Sequence, residues 1–110
     1  MSDQQNSVID LLSSGIIWGL ALPSNLRYGQ AIYNRGAVAL IENEHSKVEA
    51  WVGGLDGSMA DGGSQRRRTR LFVTPKGLGW HCAGNPKNHQ IFCKHCVALA
   101  FKILEGSLKV

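Results

Sequence analysis

Apolar and polar positions change their period several times along this 110-residue chain, and each change marks an element. Residues 1–6 are polar and are expected to form a frayed tail. Behind Ser7, placed to cap a short helix, Val8, Leu11 and Leu12 fall on one helical face. Ser13-Ser14-Gly15 ends or bends that helix. The run Ile16-Ile17-Trp18-Gly19-Leu20-Ala21-Leu22 is apolar without a period, and two roles fit it: a buried core segment, or a docking patch for a protein partner or a second copy through Ile16, Ile17, Trp18 and Leu20. Pro23-Ser24-Asn25 predicts a turn into Leu26-Arg27-Tyr28-Gly29.

The period then drops to two. Ala37 to Glu42 and Lys47 to Val52 read as strands, with a linker of hairpin length over residues 43–46. In the second strand Val48, Ala50 and Val52 alternate with Lys47, Glu49 and Trp51, the pattern of a sheet with one wet face. Residues 53–65 are rich in Gly, Ser and Asp and predict a flexible loop. Arg66-Arg67-Arg68-Thr69-Arg70 leads into a third strand through Thr74, Pro75-Lys76-Gly77 turns, and Leu78 to Cys82 is a fourth strand. A helix follows from about Cys93 to Glu105, with Cys96, Val97, Ala100, Phe101 and Leu104 on one face and Lys94, Ala98, Lys102 and Glu105 on the other. Gly106 is placed to stop it. The order predicts an α+β fold: a short N-terminal helix, a small antiparallel sheet of about four strands, and a C-terminal helix pinned by a knuckle. Residues 1–25 form a tail and hydrophobic segment, and residues 26–110 form the domain proper.

Composition places the chain among globular proteins, at 44% hydrophobic and 18% charged. The start lacks the basic residues of a secretory signal, and the longest apolar run is far short of the ~20 residues that cross a bilayer. A cytoplasmic location is expected. Charge is distributed unevenly: residues 1–61 carry three bases against seven acids, while residues 62–110 carry nine bases against Glu105 alone. No carboxylate side chain lies between Asp61 and Glu105. Such a half suits an anionic partner, nucleic acid first. Arg66, Arg67, Arg68, Arg70, Lys87, Lys94 and Lys102 are the candidates for phosphate contact; the plainer role for the arginine run is a solubilising strand edge.

Candidate chemistry is concentrated in the same half. Three cysteines lie between positions 82 and 96 with three of the four histidines. An odd, clustered set speaks for metal in a reducing compartment rather than disulfides. Cys82 ends the fourth strand, and Cys93 and His95 flank the helix start, so all three can turn toward one zinc ion. A closed tetrahedral site needs a fourth ligand. His89, in the loop between, is preferred; His81, which strand alternation turns the other way, Cys96, on the apolar helix face, and an open position are the alternatives.

The phrase Phe92-Cys93-Lys94-His95-Cys96-Val97-Ala98 resembles the closing C-x-H half of the SWIM zinc finger, whose signature is C-x-C, a variable loop, then C-x-H. Cys82 stands where the first cysteine belongs. Upstream, Gly29, Tyr33, Gly36 and Val38 resemble the family's approach, and VEAWVGG its following strand, so the likeness covers roughly residues 26–105, with residues 1–25 and the Gly-rich loop outside it. Gly84 replaces the second cysteine, so either His89 serves as a late ligand or three residues hold the ion. The resemblance implies a zinc-binding module that contacts DNA or protein partners: a nucleic-acid binder, DNA before RNA, or an adaptor in a DNA-processing or helicase-associated complex. An enzyme is not expected. A three-ligand zinc could activate water, but no carboxylate neighbours the cage in sequence to act as base, and only Asp61 or Glu49 could approach through the fold.

Overall fold

The computed structural model describes residues 7–13, 15, 17–53, 67–82 and 92–108. Helices α1 (Val8–Ser13), α2 (Ile17–Leu20) and α3 (Pro23–Asn34) precede strands β1 (Val38–Asn43), β2 (Lys47–Val52), β3 (Arg67–Thr74) and β4 (Gly77–Cys82), and helix α4 (Lys94–Leu108) closes the order. The strands form one antiparallel sheet in the order β1-β2-β3-β4. The fold is therefore α+β, with the C-terminal helix packed on the sheet beside the cysteine and histidine cluster. No described helix is long and apolar enough to cross a membrane.

Alternation works as expected on the sheet's inner face. Val48, Ala50 and Val52 of β2, Thr69 and Leu71 of β3, and Cys82 of β4 are buried. The outer face holds one exception: Glu49 is only 8% exposed, because Arg68 lies over it in an ion pair. Edge strand β1 carries a bulge between Leu40 and Glu42, and Leu40 and Ile41 are exposed there.

Helix α1 begins as the capping rule requires. Ser7 Oγ accepts the Asp10 amide at 3.0 Å, and the Asp10 carboxylate accepts the Ser7 amide at 3.2 Å. This reciprocal pair satisfies two orphan donors. Replacing the hydroxyl, Ser7→Ala, should cost about 1 kcal/mol, read as a lower urea midpoint with an unchanged slope. The apolar run over 16–22 divides its roles. Ile17 and Ala21 are buried in the common core with Val8 and Leu12, and Leu20 packs against it. Trp18 and Leu22 stay 63% and 58% exposed. Ile16 lies outside the described residues.

Three expectations need correction. Pro23-Ser24-Asn25 is not a turn: Pro23 opens the twelve-residue helix α3. A proline is tolerated in a first helical turn, where its missing N–H would have no partner and its fixed φ suits the helix. Nor does Gly106 stop α4, which continues to Leu108. The two faces expected for α4 also merge: Cys96, Val97, Ala98, Leu99 and Ala100 are all fully buried, Ala98 included. The helix is enclosed because the sheet covers one side and α3 and α1 cover the others. Of the Gly-rich loop, only Gly53 is among the described residues; at φ 86° it donates its amide to the Ala37 carbonyl at 2.8 Å.

Candidate metal centre

The end of β4 and the start of α4 meet at the sheet's inner face. Cys82 is the last residue of β4 and points inward, directly opposite Thr69 in the register. Cys93 caps α4, its carbonyl accepting the Val97 amide at 3.0 Å, and His95 lies in the first turn. Phe92, fully buried, anchors the approach, with the Trp80 ring edge-on to it at 5.2 Å and 85°. The ligand-capable side chains of Cys82, Cys93 and His95 thus come together from two elements of fixed position.

All three are buried, and one ligand atom from each lies within 4.8 Å of the others. His95 turns Nδ1 toward both sulfurs, 3.6 Å from Cys82 Sγ and 3.9 Å from Cys93 Sγ. Zinc bonds of ~2.3 Å to sulfur and ~2.05 Å to nitrogen at a tetrahedral angle place a sulfur and a nitrogen about 3.6 Å apart. The observed separations are therefore those of tetrahedral edges to within a few tenths of an ångström, so this group could hold a metal ion.

Electrostatics say what the site needs. The hydrogen bond with Cys93 and then burial push the Cys82 thiol up to about 12, against the pull of His95. Cys82 draws the Cys93 thiol down, but Cys96 and burial outweigh it and leave Cys93 at about 11. Without a cation both are neutral thiols at physiological pH. Thiolates form here only when a positive ion offsets the desolvation.

Cys96 sits with its Sγ 3.8 Å from Cys93 Sγ, fully buried, yet outside the group of three. His81 is exposed on the outer face, opposite Arg70 in the register, so alternation separates it from its neighbour Cys82. His89 and Gly84 lie outside the described residues, as do Arg66, Lys87 and Asp61. Glu49 does not approach the cluster; it is held by Arg68 on the outer face.

A supporting residue was not anticipated. The buried Thr69 hydroxyl lies 3.8 Å from Cys82 Sγ and 3.4 Å from the Arg67 carbonyl. A donor to a ligand sulfur fixes the ligand and stabilises its charge. Its only sequence signal is an inward position on β3, which acquires meaning once the β3–β4 register is known.

The basic candidates fall on two sides of the sheet. Arg68 and Arg70 lie on the outer face with Lys47 and His81, around a cavity of about 470 Å³. Arg67, half-buried, shares the inward register of Thr69. Lys94 and Lys102 are on α4, the first with Nζ 5.7 Å from the Tyr28 ring centre, the second 3.9 Å from Glu105. Set against models of known protein families, curated proteins and solved structures, the chain matches none.

Proposed function

We propose that this chain is a zinc-pinned binding module of the SWIM type whose partner is nucleic acid, DNA before RNA. The observation that carries it is the buried Cys82, Cys93 and His95 cluster, with tetrahedral-edge spacing, set in the half of the sequence that is free of carboxylates from 62 to 104. Two thiolates and an imidazole suit zinc rather than calcium or magnesium. His89 is the fourth ligand on this proposal, reaching in from the loop.

The ion acts as a pin between β4 and α4 rather than as a reaction centre. Thiols at about 12 and about 11 are not nucleophiles at neutral pH. The described cluster contains no carboxylate that could serve as a general base. Binding is then the work of the basic side chains, with phosphate contacts from the arginines of β3. An adaptor role is the second proposal, favoured by the exposed Trp18 on α2 and Leu22 just after it; Ile17 is buried and unavailable to a partner.

The test is fluorescence anisotropy with labelled single-stranded and duplex DNA across a salt series. Neutralising about three phosphates gives a log–log slope near −2 on a single strand and near −2.7 on a duplex, a loss of roughly fifteen- to forty-fold in affinity from about 50 to about 200 mM salt. A flat salt response, or no binding to either form at low salt, overturns the nucleic-acid assignment.

A further inference from the structure

Of the three cysteines, the site described above uses two, Cys82 and Cys93. Cys96 is fully buried and stands outside the group that can share one ion. A small apolar residue would fill its place in the core as well. What the sulfur adds is a spare thiol facing a ligand. Cys93 Sγ has two neighbours at nearly equal range: His95 Nδ1 at 3.9 Å within the group, and Cys96 Sγ at 3.8 Å outside it.

The helix start is what lets these two sulfurs meet. Within a regular helix, residues three apart hold their Cβ atoms about 5–6 Å apart, beyond the roughly 3.5–4.5 Å that a disulfide spans. A residue at the N-cap differs, because its extended backbone turns the side chain over the third helical residue. Cys93 precedes Lys94, the first residue of α4, and Cys96 is the third. Closing from 3.8 Å to a bond of ~2.05 Å moves each sulfur by about 0.9 Å, within the reach of side-chain rotation. Cys82 also lies within 4.8 Å of Cys93, but in the loaded site it is itself a ligand. Cys96 is the thiol left to react.

We propose that Cys93 and Cys96 form an oxidation site, in which a peroxide joins them in a disulfide and so withdraws Cys93 from the metal. This rests on the zinc assignment above and gives it a means of release. Cys93 is the point of entry, 8% exposed against 3% for Cys82 and 0% for Cys96. The ion, when bound, keeps Cys93 a thiolate, the form that reacts with oxidants. Its sulfur attacks one peroxide oxygen. An S–O bond forms, the O–O bond breaks and hydroxide leaves, so that the sulfur becomes a sulfenic acid, oxidised by two electrons as the peroxide is reduced. The Cys96 thiol then attacks the same sulfur. An S–S bond forms, the S–O bond breaks, and the hydroxyl departs as water with the thiol proton. A disulfide sulfur carries no charge to hold a cation, and of the described ligands Cys82 and His95 remain. The tie between β4 and α4 is then lost until a dithiol reductant reopens the pair. A transient disulfide of this kind suits a reducing compartment.

The experiment loads the full chain with zinc, confirms stoichiometric metal, and adds hydrogen peroxide in the presence of a chelating dye. Trypsin cuts after Lys76, Lys87, Lys94 and Lys102, so Cys82, Cys93 and Cys96 leave in three separate peptides and every pairing can be told apart. The expected result is zinc released to the dye, a chain about 2 Da lighter, and residues 88–94 joined to residues 95–102. Dithiothreitol should part the two peptides and restore stoichiometric zinc. Cys96→Ala leaves the three ligands in place and should take up zinc as the parent does. With no resolving thiol, peroxide should carry its Cys93 on to the sulfinic acid, about 32 Da heavier, which the reductant does not reverse. Zinc kept in the face of peroxide, zinc released with residues 77–87 joined to 88–94 or with no pair at all, or full recovery by Cys96→Ala overturns the oxidation site and leaves the zinc assignment standing. A folded Cys96→Ala chain without zinc makes Cys96 a ligand and also overturns it. The parent's peptide map decides the pairing even where the variant does not fold. A parent chain that takes up no zinc before the oxidant is added overturns both.

Discussion

On the proposed zinc pin, a tight chelator is expected to remove most of the chain's stability, the melting temperature falling by roughly 20–40 °C for every ~5 kcal/mol that is lost. Structural zinc contributes on the order of 10 kcal/mol or more in small domains, as much as the whole stability of a typical one. Here the metal would join the last residue of β4 to the first turn of α4, and α4 is the element around which the core is assembled. Cys82→Ala, Cys93→Ala and His95→Ala should each abolish stoichiometric zinc and reproduce the chelated melting curve. His81→Ala should retain one zinc per chain, because that side chain lies on the outer face. Melting temperatures indifferent to chelation would remove the pin from the account.

The same site predicts opposite pH responses with and without metal. Zinc must displace the protons of two thiols held at about 12 and about 11. Between pH 8 and pH 11, two thiol protons leave for each ion bound, so zinc affinity should climb about a hundred-fold per pH unit. In the metal-free chain both folded values lie above the ordinary 9.0. The folded state then holds protons that the unfolded state gives up. That stabilisation is complete below pH 9 and is lost as pH rises through 9 toward about 12. Thermal melts of the two forms across this window check both signs.

Much of this site could be read from spacing alone, for a physical reason. Cys82 at a strand's end and Cys93 and His95 at a helix's start are local placements, and alternation already turns His81 away from Cys82. Thr69 could not be found that way, since its approach to Cys82 depends on which residues of β3 and β4 face each other. The strands were legible because a period of two survives burial on one face. Helix α3 was not, because Pro23, Ser24 and Asn25 carry turn chemistry and Gly29 interrupts the apolar stripe. The all-round burial of α4 is a tertiary fact: Ala98 looks like a surface position until α1, α3 and the sheet have closed around it. Likewise Gly106 has the chemistry of a helix stop, yet α4 runs past it.

That interrupting glycine carries the second large effect. Gly29 lies where α3 crosses α4, and a Cβ there would sit 2.5 Å from Val97 Cβ and Cγ1 and 2.8 Å from the Lys94 carbonyl oxygen. Alanine improves helix propensity by about 1 kcal/mol over glycine. The contact outweighs that gain. Val97 is fully buried and, being β-branched in a helix, has essentially one rotamer; the Lys94 carbonyl is backbone. Neither can yield as a flexible side chain would, so the helices must separate, at a gross cost of about 3–4 kcal/mol. Gly29→Ala should therefore destabilise the fold by a net 2–3 kcal/mol in urea titration, and Gly29→Val by more. Residues 94–97 are the ones forced to move, and His95 is among them. Zinc affinity, measured by competition with a chelating dye, should fall about ten-fold in the same variant. Gly19→Ala is the control: no atom lies within 4 Å of its Cβ position, so only the propensity gain remains. If Gly29→Ala were instead as stable as the parent, the α3–α4 crossing would be looser than these distances require, and the glycine would have no part in positioning the metal site.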